Sequence, residues 1–179
     1  MSKRIGEERF YYHPWLNSRD TSVDYSKKLE ERMRVTKEDI EEGLRRLGLG
    51  RNDLVMVHSS LSSLGYVVGG ADAVIDALLE TVGPEGTVAM PTYSINAFKY
   101  VEEEDRCYEL SEEFMEPYDP EKTLVWTGLL PETFRKRKNA IRSLSPRYSI
   151  AAIGPKAREM AEGDWGEKLQ ELDGYVLML

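Results

Sequence analysis

The feature that most constrains the fold of this chain is a short apolar run, followed by a serine- and glycine-rich stretch and then by a helical pattern. Residues 54–57 are apolar and rich in strand-forming side chains, which indicates a buried strand. Residues 71–82 place apolar side chains at helical spacing, and a Gly-Pro-Glu-Gly turn leads from them to a second strand over 87–90. A strand, a helix and a strand in this order predict an α/β layered fold.

The rest of the chain continues this alternation. Thr36 is a candidate N-cap for a helix in which Ile40, Leu44 and Leu47 share one apolar face. We expect further helices over 127–138, 155–162 and 166–172, strands over 149–153 and 175–179, and a long loop or insertion over 94–125.

Length and composition limit the class of protein. The 179 residues are 41% hydrophobic and 31% charged, which is ordinary for a soluble globular protein. We expect an N-terminal arm over 1–35, with one short helix at 25–33, and one domain over 36–179. No apolar run approaches the roughly 18 residues of a membrane helix, and the N-terminus lacks the apolar core of a signal peptide. These features predict a cytoplasmic protein without a membrane partner.

Reactive side chains are few. The single cysteine, Cys107, excludes an intramolecular disulfide and a cysteine-rich zinc site, and we expect no metal. Its acidic neighbours raise a thiol pKa, so we do not expect it to act as a nucleophile. Of the two histidines, His13 is expected at the surface of the arm. His58 ends the first strand, as either a hydrogen-bonded structural residue or a base or orienting group.

Charge is distributed unevenly. The net charge is −8, with 20 acidic and 7 basic side chains over 36–134 but 6 acidic and 9 basic over 135–179. A net-acidic chain without a basic face is a poor nucleic-acid binder, and we expect no nucleic-acid partner. The acidic stretch at 102–121 either attracts a cationic amine or is a solvated surface.

The link between the first strand and its helix is the sharpest candidate site. It ends in Gly69-Gly70 at a helix N-terminus, where glycines let the backbone approach a ligand and free N–H groups favour anions. Ser59 and Ser60 add hydroxyls that can bind a phosphate. The link contains neither a Walker loop nor a G-x-G-x-x-G fingerprint, and an ordinary strand-to-helix turn also accounts for its spacing.

Six short motifs narrow the choice: DLVMVHSSL (53–61), GYVVGGAD (65–72), GPEGT (83–87), MPTY (90–93), RSLSPRYSIAAIG (142–154) and LQELDGYVL (169–177). They resemble the aminoglycoside 3-N-acetyltransferase family, also called the antibiotic N-acetyltransferases, over about 36–179. The resemblance implies a layered α/β fold with a central mixed sheet flanked by helices. It also implies acetyl-CoA as co-substrate, a cationic amine of an aminoglycoside or related amino-sugar as acceptor, and a role in antibiotic resistance.

The resemblance also implies where acetyl-CoA binds. The loop would hold the pantetheine and pyrophosphate, and Arg142 with Ser143 would form a second element on the cofactor side. The basic residues at 135–138 either face the nucleotide end of this ligand or complement a helix C-terminus. The loop residues carried over from the family are Ser59, Ser60, Leu61, Val68, Gly69 and Gly70.

The chain departs from the family where a base is needed. Acetylating an amine requires a group that takes its proton. Ser145 occupies the histidine position of the family's Arg-Ser-x-His-Pro motif, and the segment at 162–166 is short and lacks the second family histidine. A later family segment with a histidine and a glutamate would lie beyond Leu179. We therefore assign no catalytic residue and keep an alternative, a catalytically inactive CoA-binding or interaction homologue.

The apolar strand at 175–179 runs to the last residue of the sequence. Because chain termini usually lie at the surface, this ending suggests a truncated family member, whose domain is incomplete. A missing C-terminal region would leave sheet edges and apolar surface uncovered, which favours either a homodimer or instability.

Overall fold

The structure is a computed structural model that describes residues 34–94, 99–100, 108–109, 118–145 and 147–179. The predicted arm helix at 25–33, His13 and Cys107 lie outside these residues. The elements, in chain order, are β1 (Arg34–Val35), α1 (Lys37–Arg46), β2 (Leu54–His58), a 3₁₀ turn (Leu61–Leu64), β3 (Tyr66–Val67), α2 (Gly70–Val82), β4 (Thr87–Pro91), β5 (Lys99–Tyr100), β6 (Tyr108–Glu109), α3 (Leu129–Arg135), β7 (Ile141–Arg142), β8 (Ile150–Ile153), α4 (Ala157–Glu162), α5 (Trp165–Glu171) and β9 (Tyr175–Met178).

A five-stranded mixed sheet forms the centre, in the order β7-β8-β4-β2-β9. Strands β4, β2 and β9 are parallel, with Val55 opposite both Val88 and Tyr175. Strand β8 runs antiparallel to β4, and β7 runs antiparallel to β8. The helix α2 connects two adjacent parallel strands, β2 and β4, as the opening strand–helix–strand pattern predicts.

Helices cover both faces of this sheet. Alternate residues of β2 point to opposite faces, as a strand requires. Val55 and Val57 pack with α1, α2 and α3, whereas Leu54 and Met56 pack with α4 and α5. The helices therefore form two layers around a mixed sheet, and the predicted fold class is confirmed.

The first helix begins as the sequence predicts and ends earlier. The Thr36 hydroxyl accepts the Asp39 N–H at 3.2 Å, and the Asp39 carboxylate accepts the Thr36 N–H at 2.8 Å. Ile40 and Leu44 are buried, but Leu47 is 72% exposed, so its predicted place on the apolar face was wrong. Because α1 ends at Arg46, the helical period no longer applies at Leu47, and Leu49 is buried instead.

Several short strands gave no sequence signal. Strand β1 pairs in parallel with β3, so Arg34–Val35, predicted as the end of the arm, joins the described domain by backbone pairing. Strand β7 pairs with β8 over two residues. Two-residue strands contain no period to detect, because they form only where another segment supplies their hydrogen bonds. The division of the chain at residue 35 stays a prediction.

The predicted last strand is present, and it lies at the sheet edge. In the part of the chain that the structure describes, β9 pairs only with β2. Tyr175, Val176 and Met178 are 55%, 57% and 74% exposed. Among the described helices, none is long and apolar enough to cross a membrane.

Candidate functional site

A cleft of about 540 Å³ opens at the carboxyl ends of β2 and β4. This edge of parallel strands is where α/β sheets generally bind ligands. One wall consists of Ser59, Ser60, Leu61, Ser62 and Gly65, which follow β2. The other wall is the segment 127–130, where α3 begins. The cleft therefore lies between the predicted loop and a segment that sequence reasoning did not include.

The first wall is held by backbone hydrogen bonds from two directions. The Ser60 carbonyl accepts the Ser63 N–H at 2.9 Å, which closes the turn at Leu61–Leu64. On the other side, the Leu179 carbonyl accepts the Ser60 N–H at 3.0 Å, and the His58 carbonyl accepts the Leu179 N–H at 2.8 Å. The end of β9 thus fixes the start of the predicted cofactor loop.

The hydroxyl of Ser59 stands out in this wall. Its Oγ is buried and makes no hydrogen bond to any described residue. Ser60, by comparison, has its Oγ 2.9 Å from the Oγ of Ser62. A buried polar group without a partner costs free energy, and a binding site is one setting in which such a group persists. Because this Oγ is buried, a ligand amide in the cleft could bind it only after the Ser59 side chain rotates toward the cleft.

The second wall is attached to the end of β4. The Thr127 hydroxyl donates to the Pro91 carbonyl, and the Trp126 N–H donates to the Tyr93 carbonyl at 2.8 Å. The Glu132 carboxylate accepts the Val125 N–H at 3.1 Å. In the sequence, the only indication of this wall is that Thr127 and Gly128 directly precede an apolar helix.

Val68, Gly69 and Gly70 do not line the cleft. Gly69 and Gly70 have φ of 86° and 59°, a region that favours glycine, and they lead into α2. Among the described residues, no side chain caps this helix N-terminus. Val68 is 45% exposed, and its N–H donates to the Val35 carbonyl at 2.9 Å. The structure thus brings together Ser59, Ser60 and Leu61 and places the glycines at the far end of the same loop.

Arg142 and Ser143 belong to a buried polar centre on β7. Arg142 is 9% exposed, and its guanidinium donates to the Thr92 and Thr123 carbonyls, each at 2.6 Å. The Ser143 Oγ accepts the Ile150 N–H at 3.1 Å. Three strand spacings separate β7 from β2, or about 14 Å. Direct contact between these two residues and a cofactor stays a prediction, and their observed contacts are internal.

The predicted basic run at 135–138 is largely paired with acids. Arg135 and Lys136 each contact Glu132 at 2.7 Å, and Arg137 contacts Asp72 and Asp76 at 2.8 and 2.9 Å. Burial alone would raise the pKa of Glu132, but hydrogen bonds from Arg135, Lys136 and the Val125 N–H outweigh it and lower that pKa below its ordinary value of 4.5. These contacts favour the structural interpretation of the basic run.

Neither His58, the candidate base, nor Ser145, at the family's histidine position, lines the cleft. His58 follows the same alternation as Leu54 and Met56, so it lies on the α4–α5 face, with its ring centroid 6.2 Å from that of Trp165. Ser145 is exposed. Within the described ranges, no group of three or more His, Cys, Asp or Glu residues could hold a metal ion.

The chain is similar to proteins that are named aminoglycoside acetyltransferases or acetyltransferase-like proteins. The family model for aminoglycoside 3-N-acetyltransferase matches residues 56–179. The SPbeta prophage-derived aminoglycoside N(3')-acetyltransferase-like protein YokD of Bacillus subtilis (strain 168) is 36% identical over 161 residues, which cover 80% of this chain and 59% of that protein.

Two solved structures extend the similarity to three dimensions. AAC-IIIb in a binary complex with CoASH is 32% identical with a TM-score of 0.70, over 82% of this chain and 60% of that one. A mutant of AAC(3)-IVa in complex with a gentamicin is 28% identical with a TM-score of 0.68, over 83% and 55%.

This chain spans between 55% and 60% of the length of these three relatives. The family model covers well over half of the chain and includes both walls of the cleft. The chain therefore belongs to the aminoglycoside 3-N-acetyltransferase family.

Proposed function

We propose that this chain binds acetyl-CoA in the cleft and contributes to transfer of the acetyl group to an amine of an aminoglycoside or related amino-sugar. The observation that carries the proposal is the cleft between Ser59–Leu61 and 127–130, whose buried Ser59 hydroxyl has no partner among the described residues. Two relatives support it, because one was solved with CoASH and another with a gentamicin. Such a reaction would contribute to antibiotic resistance.

The residues present suit this ligand. The pantetheine arm carries amides that need hydrogen-bond partners, and Ser59 and Ser60 supply hydroxyls beside the cleft. The uncapped N-terminus of α2 at Gly69-Gly70 suits the anionic pyrophosphate. The loop therefore carries serine hydroxyls at one end and the N-terminal N–H groups of α2 at the other, which supports the proposal.

A second candidate function is binding of acetyl-CoA without acetyl transfer. Two observations favour it: Ser145 replaces the histidine implied by the family resemblance, and His58 lies on the opposite face of the sheet from the cleft. A serine hydroxyl cannot take the ammonium proton near neutral pH.

Calorimetric titration with acetyl-CoA tests the binding of acetyl-CoA, which both candidate functions require. We expect saturable binding to the wild-type chain and strongly reduced binding to Gly69→Asp, which adds a negative charge where the pyrophosphate would lie. Gly48→Asp is the matched control, because Gly48 also has a positive φ, of 99°, and lies at the end of α1. No binding to the wild type, or equal loss in both variants, would refute the site.

A second measurement separates the two candidates. Thiol release from acetyl-CoA is followed in the presence of gentamicin or glucosamine. Release above the level of a Ser59→Ala/Ser60→Ala control supports acetyl transfer. Binding of acetyl-CoA without release supports the inactive homologue.

A further inference from the structure

The second wall of the cleft is continuous with a turn that two buried arginines hold. The turn spans residues 119–123, and Asp119 closes it by accepting the Thr123 N–H at its carbonyl and the Glu121 N–H at its carboxylate, each at 2.8 Å. Four residues later, Thr127 begins the wall. The position of this turn therefore limits where the wall can lie.

Arg142 binds this turn from β7. Its Nη1 donates to the Pro120 carbonyl at 3.1 Å and to the Thr123 carbonyl at 2.6 Å. Its Nε and Nη2 donate to the hydroxyl and carbonyl of Thr92, just after β4. A single guanidinium thus joins the turn to the end of the central strand that also holds Thr127.

Tyr118 covers the same guanidinium. Its ring centroid lies 5.3 Å from the Arg142 Cζ, and its hydroxyl donates to the Ser143 carbonyl at 2.8 Å. Burial raises the pKa of the Tyr118 phenol above its ordinary value of 10.0, although the nearby Arg142 acts in the opposite direction. The phenol therefore stays protonated and remains a donor at neutral pH.

Arg135 binds the turn from α3. Its Nη1 donates to the Glu121 carbonyl at 2.7 Å, while its Nε and Nη2 form a two-point contact with the Glu132 carboxylate. Its side chain is 3% exposed. Glu132 in turn accepts the Val125 N–H, directly before the wall. The two arginines together bind three carbonyls of the turn, one from α3 and two from β7.

We propose that Arg142 is a positioning residue that shapes the acetyl-CoA cleft through the turn at 119–123, with Arg135 as its counterpart, and that it does not contact the ligand. This inference rests on the proposed acetyl-CoA site. The four described hydrogen bonds of the Arg142 guanidinium use four of its five N–H donors, and all of them end on the protein. Only one N–H, on Nη2, lies outside these four hydrogen bonds, and Arg142 is 9% exposed, so a phosphate contact through more than one donor would break this set.

The test compares two ligands that differ in their phosphates. Acetyl-CoA and acetyl-pantetheine are titrated against wild type and Arg142→Lys, because lysine keeps the charge but loses the forked geometry. We expect both affinities to fall by the same factor, about five- to tenfold. Tyr118→Phe should lower both affinities by a smaller common factor, since it removes one hydrogen bond from the same centre. Arg158→Lys on α4, exposed and paired with Glu162, should change neither.

A ligand-free readout distinguishes positioning from general loss of stability. In a Trp15→Phe/Trp165→Phe background, the emission of Trp126 reports on the wall. Arg142→Lys should shift this emission at a temperature where the far-ultraviolet circular dichroism is unchanged. Loss of acetyl-CoA binding with acetyl-pantetheine unaffected, or no change with either ligand, would overturn the inference. If the wild type binds neither ligand, the proposed function fails. The positioning role is tested independently of any ligand, because an unshifted Trp126 emission in Arg142→Lys would overturn it.

Discussion

At the scale of single residues, Ser59 shows which property of a site residue the sequence indicates and which property only the structure shows. A serine after a buried strand is a weak sequence signal, and the resemblance to a family raised its importance. Only the folded chain shows that its Oγ is buried and lacks a partner in the described part of the protein. The neighbouring Ser60 is held by the Leu179 carbonyl, which is distant in the sequence, so the local pattern around Ser59 does not contain this contact.

Replacing Ser59 by alanine should therefore separate binding from stability. Because Ser59→Ala removes no described hydrogen bond, the free energy of unfolding should change by less than about 1 kcal/mol, while affinity for acetyl-CoA falls. Ser149→Ala is the contrast: its buried Oγ donates to the Thr92 carbonyl, so this variant should lose about 1–2 kcal/mol. Urea unfolding and calorimetric titration measure both. A Ser59→Ala variant as destabilised as Ser149→Ala would contradict this expectation.

The lowered pKa of Glu132 predicts that the free energy of unfolding depends on pH. Its pKa is lower in the folded chain than the ordinary 4.5, so its ionised form stabilises the fold above that pH. The contribution is lost as the pH falls through the folded pKa. Glu132→Gln should thus be less stable than wild type at pH 7, and the gap should narrow below pH 4.5. Urea midpoints across this range measure it, with the exposed Glu42→Gln as control; a constant gap would count against the assignment.

At the scale of elements, helices and strands with a clear apolar period are predictable from the sequence, whereas the pairing of two-residue strands is not. The β2–α2–β4 unit was predictable because its apolar residues repeat at strand and helix spacing over whole elements. Strands β1, β3 and β7 have two residues each and depend on partners from other segments of the chain. The same holds for the second wall of the cleft, which long-range hydrogen bonds to Pro91 and Tyr93 keep in place.

The entry to β9 should influence the cofactor loop. A Cβ at Gly174 would lie 3.0 Å from Leu54 side-chain atoms and closer still to Leu169. Gly174→Ala should therefore destabilise the fold by about 1–3 kcal/mol and weaken acetyl-CoA binding, because Leu179 holds Ser60. Gly43→Ala, in α1, should instead stabilise by about 0.5–1 kcal/mol, because its Cβ would meet no described atom within 4 Å beyond its chain neighbours and its own helix backbone. Thermal unfolding and titration test both, and unchanged binding in Gly174→Ala would argue against this coupling.

At the scale of the whole molecule, the described part of the sheet has an apolar edge at β9. The outer side of β9 has no strand partner among the described residues, and its four residues carry no charge. An exposed strand edge of this kind is a template for pairing with another chain. The homodimer expected from the sequence stays a prediction, and the edge defines where such contact would form.

Val176→Lys tests this edge. Sedimentation velocity should show concentration-dependent association of the wild type that Val176→Lys abolishes, because a lysine on an edge strand opposes pairing. Circular dichroism should be unchanged, since Val176 is 57% exposed. Leu47→Lys, at the exposed end of α1, is the matched control and should associate like wild type. A monomeric wild type at all concentrations would exclude pairing through β9.

The sequence by itself determined the fold class, the order of the long elements and the loop that follows β2. These features are encoded locally, in the spacing of apolar residues and in glycines before a helix. Only the tertiary structure decided that 127–130 faces this loop, that His58 lies on the other side of the sheet, and that Arg142 binds protein carbonyls. The reason is physical. These positions depend on which distant segments of the chain pack and form hydrogen bonds with one another, and no local sequence pattern specifies those partners.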